Sequence, residues 1–191
     1  MDASFTGSVF LGMSVDGFIA RLDGDISWLD GDSPPPDDGT APLPDDGAGG
    51  DFGFAEFVAS IDAVVMGRST YDFIAPFAEW PYQAKPVHVL STTLEPGADE
   101  RITVHRSYDD AVAAFNAAGY RRLYVDGGRT VHTFLAAGLI TDLTLSRVPV
   151  LIGTGHTPFG ALPADIRLEH ERTRSYPGGM VQSTYRVVRP T

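Results

Sequence analysis

An α/β fold is predicted, with a mainly parallel central sheet, helices on both faces and a C-terminal antiparallel hairpin. Three features of the sequence point to it. Short apolar runs of strand length alternate with stretches of helical spacing, the pattern of repeated βα units. Several of these helical stretches open on a capping signature or a glycine turn. The last two strand-like segments flank a Pro-Gly-Gly turn.

Taken in order, residues 5–13 (FTGSVFLGM) are mixed and β-prone and read as the first strand. SVDG then reads as a turn, and FIARLDGDISW as a loop with two Asp/Gly turns. Residues 31–51 are Pro, Gly and Asp with almost nothing apolar, so they are expected to be an exposed, disordered-looking insert within one domain spanning 1–191. Phe54, Phe57, Val58 and Ile61 fall at helical spacing, and DAVVMG (62–67) is a short buried strand ending on glycine. Ser69 and Asp72 form an S-x-x-D capping signature, as do Ser107 and Asp110. Strands are expected at 85–91, 102–105 and 121–125. Ala111, Val112, Phe115 and Ala118 make an apolar helical stripe that Gly119 stops. A further helix is expected from about Arg129 to near Gly138, a strand region over 141–153, and two strands joined by Pro177-Gly178-Gly179.

The 191 residues suffice for one domain with a sizeable core. No apolar run approaches the roughly 20 residues of a membrane helix, and no basic-then-apolar leader opens the chain. Cysteine is absent, which excludes disulfides, thiolate chemistry and cysteine zinc sites and fits a cytoplasmic protein. The net charge of −11 disfavours nucleic acid and anionic membrane as partners. Residues 16 to 51 hold ten acids against one base, Arg21, so an anionic ligand must bind elsewhere or at local cations and backbone N–H groups. The five histidines (88, 105, 132, 156, 170) lack metal-ligand spacing, and no metal site is expected. His88 and His105 fall in strands and read as core or edge residues; Trp28 and Trp80 read as packing.

Two strand-to-helix turns stand out: Met66-Gly67-Arg68-Ser69-Thr70 and Val125-Asp126-Gly127-Gly128-Arg129-Thr130. Each combines glycine, an arginine and hydroxyl residues where a helix presents free N–H groups, a combination that accepts phosphates. Two such turns on one parallel sheet suit a dinucleotide. Each is equally readable as a well-started helix with glycine for packing. The G-x-G-x-x-G fingerprint and the G-x-S-x-G elbow are both missing.

GMSVDGFIA, VVMGRSTYDFI, VLSTTL, the block from Leu123 to Gly160 and the final GGMVQSTYRV resemble, in order, the dihydrofolate reductase superfamily. They are most similar to its branch holding the riboflavin-biosynthesis reductase (RibD C-terminal) domain and stand-alone relatives. The resemblance implies a dihydrofolate reductase-like fold, NADPH as hydride donor, and pairing into homodimers. It implies that Gly67, Arg68, Ser69 and Thr70 serve the 2′-phosphate and diphosphate, and Ser91 and Thr92 the adenosine phosphate. It likewise implies Gly127, Gly128, Arg129 and Thr130 under the diphosphate, and Ala20 in the loop over the nicotinamide. Gly153 and Gly155 are expected to be structural. The sequence adds to the dimer expectation apolar strands near 141–153 and 181–188 that would leave an adhesive edge or face.

For the proton that follows the hydride, the sources are Asp126, before the glycine pair and equally readable as a helix cap, Asp51, beside the first helix, or a bound water; Tyr71 and Tyr124 are further candidates. Gly53 stands where folate reductases carry their pterin-binding acid, which argues against folate specificity. The expected activity is NADPH-dependent reduction of a small heteroaromatic or carbonyl-type substrate. Its alternatives are the riboflavin-pathway pyrimidine reductase itself and an NADP-binding or sensing protein without turnover.

Overall fold

The computed structural model describes residues 3–30, 51–82 and 84–188. Of the expected insert, only Asp51 falls among them; residues 31–50 lie outside the described residues. The described strands are β1 (Thr6–Ser14), β2 (Ala63–Gly67), β3 (Val87–Leu90), β4 (Ile102–His105), β5 (Arg122–Asp126), β6 (Ile140–Val148), β7 (Leu168–Ser175) and β8 (Val181–Val187). Four α-helices join them: α1 (Phe54–Ala59), α2 (Arg68–Ile74), α3 (Tyr108–Ala118) and α4 (Gly128–Ala136).

One sheet of eight strands runs in the order β4-β3-β2-β5-β1-β6-β8-β7. The first six are mutually parallel; β8 runs antiparallel to β6 and β7 antiparallel to β8. From β1 the chain steps toward β4 through α1 and α2, then returns past β2 and β1 through α3 and α4. Right-handed crossovers therefore place the two helix pairs on opposite faces. The period of two along each strand serves both. Ala63, Val65, Leu123 and Val125 face the cluster containing Phe115 and Phe134 of α3 and α4. Val64, Met66 and Tyr124 face the cluster containing Tyr71 and Ile74 of α2, with Phe54 and Phe57 of α1 packed against it.

The helix signals divide. Ser107 caps α3 through its side chain, accepting from the Asp110 N–H at 3.1 Å, and Gly119 ends it. The signature at Ser69 and Asp72 does not form a cap. Gly67 is the N-cap of α2, without a side-chain hydrogen bond, and Ser69 lies inside the helix. Asp72 instead accepts from Arg68 Nε one turn back, at 2.6 Å. The expected strand over 141–153 ends at Val148, because Pro149 has no N–H to continue the ladder. Neither β6 nor β8 is an edge: each is paired on both sides, and the edge strand on their side of the sheet is β7, which carries Glu169, Glu171, Arg172 and Arg174. Among the described residues these strands therefore leave no open edge, and of the adhesive edge or face expected of them only a face is left.

The entry to α1 is fixed from the far end of the chain. Phe52 has a left-handed backbone, φ 55°, unusual for a bulky residue. Its ring packs edge-on against Tyr176, and its carbonyl accepts from the buried Gln182 Nε2 at 3.1 Å. Gln182 also donates to Ser146 Oγ at 3.0 Å and accepts from the Tyr176 hydroxyl at 3.2 Å.

His88 and His105 are buried core residues, as read from their strands. Their Nδ1 and Nε2 atoms are 2.9 Å apart, against Phe115 and with the Tyr120 hydroxyl 3.4 Å from His88 Nε2. Burial, reinforced by His105, pushes His88 down to about 4, and burial lowers His105 as well. Between an unfolded value of about 6.5 and that folded value, the unfolded chain binds a proton that the native state refuses. The pair's contribution is thus fully present above pH 6.5 and lost as the pH falls toward 4, by on the order of 2 kcal/mol. Urea unfolding at pH 7 and pH 4.5 is expected to show a smaller acid loss for His88→Gln than for the parent chain. An equal loss in both would remove the pair as its cause.

Candidate active site

Ligands of open α/β sheets bind beyond the carboxyl ends of the parallel strands, where successive connections diverge. Here that point lies between β2 and β5. The two strands are hydrogen-bonded neighbours, with Met66 opposite Asp126. The helix after β2 lies on one face and the helix after β5 on the other, so their first turns border one crevice.

The crevice brings the two predicted turns together. A Cβ placed on Gly127 would collide with Thr70 Oγ1, and one placed on Gly67 would meet Thr130 Oγ1 at 3.3 Å. Each threonine thus reaches across to the glycine of the opposite turn. The remaining predicted residues fall along the same edge. Ser91 directly follows β3, and its buried hydroxyl accepts from the N–H groups of Thr93 and Leu94 at 3.3 and 3.0 Å; Thr92 beside it is exposed. Ala20 pairs with His156, which donates to its carbonyl at 2.8 Å. Gly155 packs against that same Ala20 carbonyl, the structural role expected of it. Asp16 holds the neighbouring segment by accepting from Gly153 N–H at 2.7 Å and Ile152 N–H at 3.3 Å. A Cβ on Gly128 would sit 2.6 Å from the Thr157 carbonyl and 3.3 Å from Ile19 Cδ1, so both loops close on the second glycine turn.

The electrostatics of the two helix starts differ from that of α3. Neither α2 nor α4 has a side-chain cap or an acid in its first turn, whereas α3 has Ser107, Asp109 and Asp110. In a chain with 25 acidic residues, the two crevice-facing helix starts are left open to an anion. Arg68 and the exposed Arg129 flank them. Sequence reasoning missed Arg106. It follows β4 as Arg68 follows β2, and its guanidinium reaches the Ser91 carbonyl at 3.4 Å. That shared position was the available signal.

Of the two predicted acids, Asp126 stands in the crevice. Its Oδ1 accepts from Gly127 N–H at 2.7 Å and its Oδ2 from the Tyr82 hydroxyl at 3.1 Å. Burial pushes its carboxyl up, against the opposing pull of these two donors and of the Tyr124 hydroxyl. Asp51 is exposed at the start of α1, where its two oxygens accept from Gly53 and Ala55 N–H groups at 2.9 Å each. Tyr124 donates to the Phe10 carbonyl at 2.8 Å, and Tyr71 donates to Asp99 at 3.0 Å. Burial raises both phenols, which makes them poor proton donors. A separate groove of about 830 Å³, lined by Phe57, Arg122, Arg172 and Arg186 among others, contains none of the predicted site residues.

Residues 6–182 match the RibD C-terminal domain family, which is nearly the whole chain. The chain belongs to that family. This RibD C-terminal domain is 32% identical to a solved structure from Shewanella sp. PV-4, a protein provisionally assigned to riboflavin biosynthesis; the match covers 97% of this chain and all of that one, with a TM-score of 0.79. It is 27% identical to the uncharacterized protein YwjB of Bacillus subtilis, over 93% of this chain and 95% of the relative. It also shares its fold, with a TM-score of 0.66 and 14% identity, with the deaminase/5-amino-6-(5-phosphoribosylamino)uracil reductase of Thermotoga maritima, of which 57% is covered. The family is of the riboflavin-pathway reductase type, and both the fold expected from the sequence and the resemblance agree with it. Among the described residues no helix is long and apolar enough to cross a membrane, and no acid or histidine cluster could hold a metal ion.

Proposed function

We propose that this RibD C-terminal domain is an NADPH-dependent reductase of a small pyrimidine- or pteridine-like substrate. The observation that carries the reading is the pair of helix starts facing each other across β2 and β5, neither with a capping side chain on its N-cap residue nor an acid in its first turn. The residues fit the cofactor's anionic parts: first-turn N–H groups of α4 for the diphosphate, with Thr70 and Thr130 at the rims. Arg68, Ser91, Thr92 and Arg106 border the adjoining strand ends, where an additional phosphate would lie. When bound, NADPH supplies a hydride from nicotinamide C4. The protein's part is to orient both reactants, exclude water and deliver a proton. Asp126 gives its proton to the substrate atom that gains the electron pair, is left as a carboxylate, and is reprotonated from solvent. A carboxyl raised by burial suits that role.

The cofactor preference gives the direct test. Removing one charge-assisted phosphate contact costs about 1.5–3 kcal/mol, or roughly 10- to 150-fold. Arg68→Ala is expected to weaken NADPH binding by that factor, read by fluorescence titration, and to leave NADH binding within twofold. Equal weakening of both cofactors would show that Arg68 does not read the 2′-phosphate. The likeness to the Shewanella protein favours a substrate of riboflavin biosynthesis, and the Thermotoga enzyme that shares the fold supplies the candidate to assay, a phosphoribosylaminopyrimidine. Steady oxidation of NADPH with such a substrate separates this reading from a binding protein without turnover.

A further inference from the structure

Tyr82 belongs to neither predicted turn. It lies in the connection between α2 and β3 and is 3% exposed. Its surroundings are aromatic: Trp80 at 5.8 Å and Tyr124 at 6.1 Å between ring centroids, both edge-on. A phenylalanine would satisfy that packing. The hydroxyl is the part that needs a reason, because a buried O–H without a partner is costly. Its partner is Asp126 Oδ2, at 3.1 Å.

This contact completes the hold on the carboxyl. Gly127 N–H fixes one oxygen and Tyr82 the other, two donors from different segments, while the buried Tyr124 hydroxyl, which donates to the Phe10 carbonyl, also faces the carboxyl and favours its charged form. The tyrosine ring is itself braced. Trp80 packs on it, the Arg101 guanidinium lies 4.3 Å from the Trp80 ring centroid, and Arg101 is paired with Asp99, which also accepts from Tyr71. The brace therefore runs from the end of the β3–β4 connection to the acid at the end of β5.

A phenol differs from the backbone N–H in one respect. It donates to an ionised carboxylate and accepts from a protonated carboxyl. We propose that Tyr82 is a positioning residue for Asp126, holding its carboxyl in one orientation in both protonation states through the reductive cycle. The proposal rests on Asp126 being the proton donor of the reading above. Two consequences follow. The hydrogen bond to the charged form is the stronger of the two, so losing it destabilises the carboxylate more than the acid. And because Tyr82 acts through Asp126, its loss alters turnover rather than cofactor binding.

The test is Tyr82→Phe in the full chain, with two readouts. Carbon-13 NMR of aspartate-labelled protein, assigned with Asp126→Asn, follows the Asp126 carboxyl without any turnover. Its midpoint is expected to rise by about one pH unit in the variant. With NADPH and the pyrimidine substrate, the pH profile of kcat is expected to shift upward by the same amount, while KM and the NADPH Kd stay within twofold. An unchanged Asp126 midpoint in a folded variant overturns the proposal, whatever the activity. A lowered melting temperature with an unshifted midpoint also overturns it, leaving Tyr82 a packing residue. If the midpoint shifts but the parent chain reduces no substrate, the contact stands and the assigned activity fails.

Discussion

Asp126→Asn is expected to lower kcat by about 100- to 10,000-fold while leaving NADPH affinity within a few-fold. The range is that of a positioned acid removed from a proton transfer. The asparagine is nearly isosteric, and its carbonyl can still accept from Gly127 N–H, so the second glycine turn keeps its shape. Tyr82 can donate to the same side chain only if the amide oxygen turns toward it, which competes with Gly127. Steady-state NADPH oxidation and a fluorescence titration of the cofactor together check this. A variant that turns over at the parental rate would remove Asp126 from the chemistry and leave it as the residue that shapes the turn.

Gly127→Ala is expected to damage both stability and cofactor binding. Gly127 has φ 82° and ψ 140°, a conformation almost confined to glycine, and forcing a side chain into it costs about 1–3 kcal/mol. The new Cβ would also strike Thr70 Oγ1, adding about 1–3 kcal/mol of overpacking. The two costs differ in origin, so they can be separated. Adding Thr70→Ser leaves the hydroxyl but frees its rotation, and is expected to recover part of the second cost and none of the first. Urea unfolding measures the stability loss, and the NADPH Kd is expected to rise more than tenfold. A Kd unchanged in a folded Gly127→Ala chain would mean that the turn does not touch the cofactor.

Where local chemistry decides the structure, the sequence was readable. Ser107 and Gly119 bracket α3, and Ala111, Val112 and Phe115 of the stripe between them are buried, while Ala118 at its end is exposed. The same holds for alternating strands such as β2 and β5, whose two faces both meet helices. The cap at Ser69 misled because it competes with a turn already started at Gly67, and Asp72 is satisfied by Arg68 instead. The end of β6 was overrun because apolar periodicity continues past Pro149 while hydrogen bonding does not. For the site, glycine turns after strands were visible as motifs, but their meeting depends on β5 inserting between β2 and β1, which no local signal encodes. Tyr82 was invisible for a related reason: its partner is 44 residues away, and nothing in its own segment marks it.

The clasp between Phe52, Tyr176 and Gln182 ties the first helix to the last strand pair. Native-state opening should then not follow chain order. The start of α1 and the β7–β8 hairpin are expected to exchange their amide hydrogens as one cooperative unit, although more than a hundred residues separate them. Such a unit joins the first helix to the last hairpin, so fraying at one would be felt as loosening at the other.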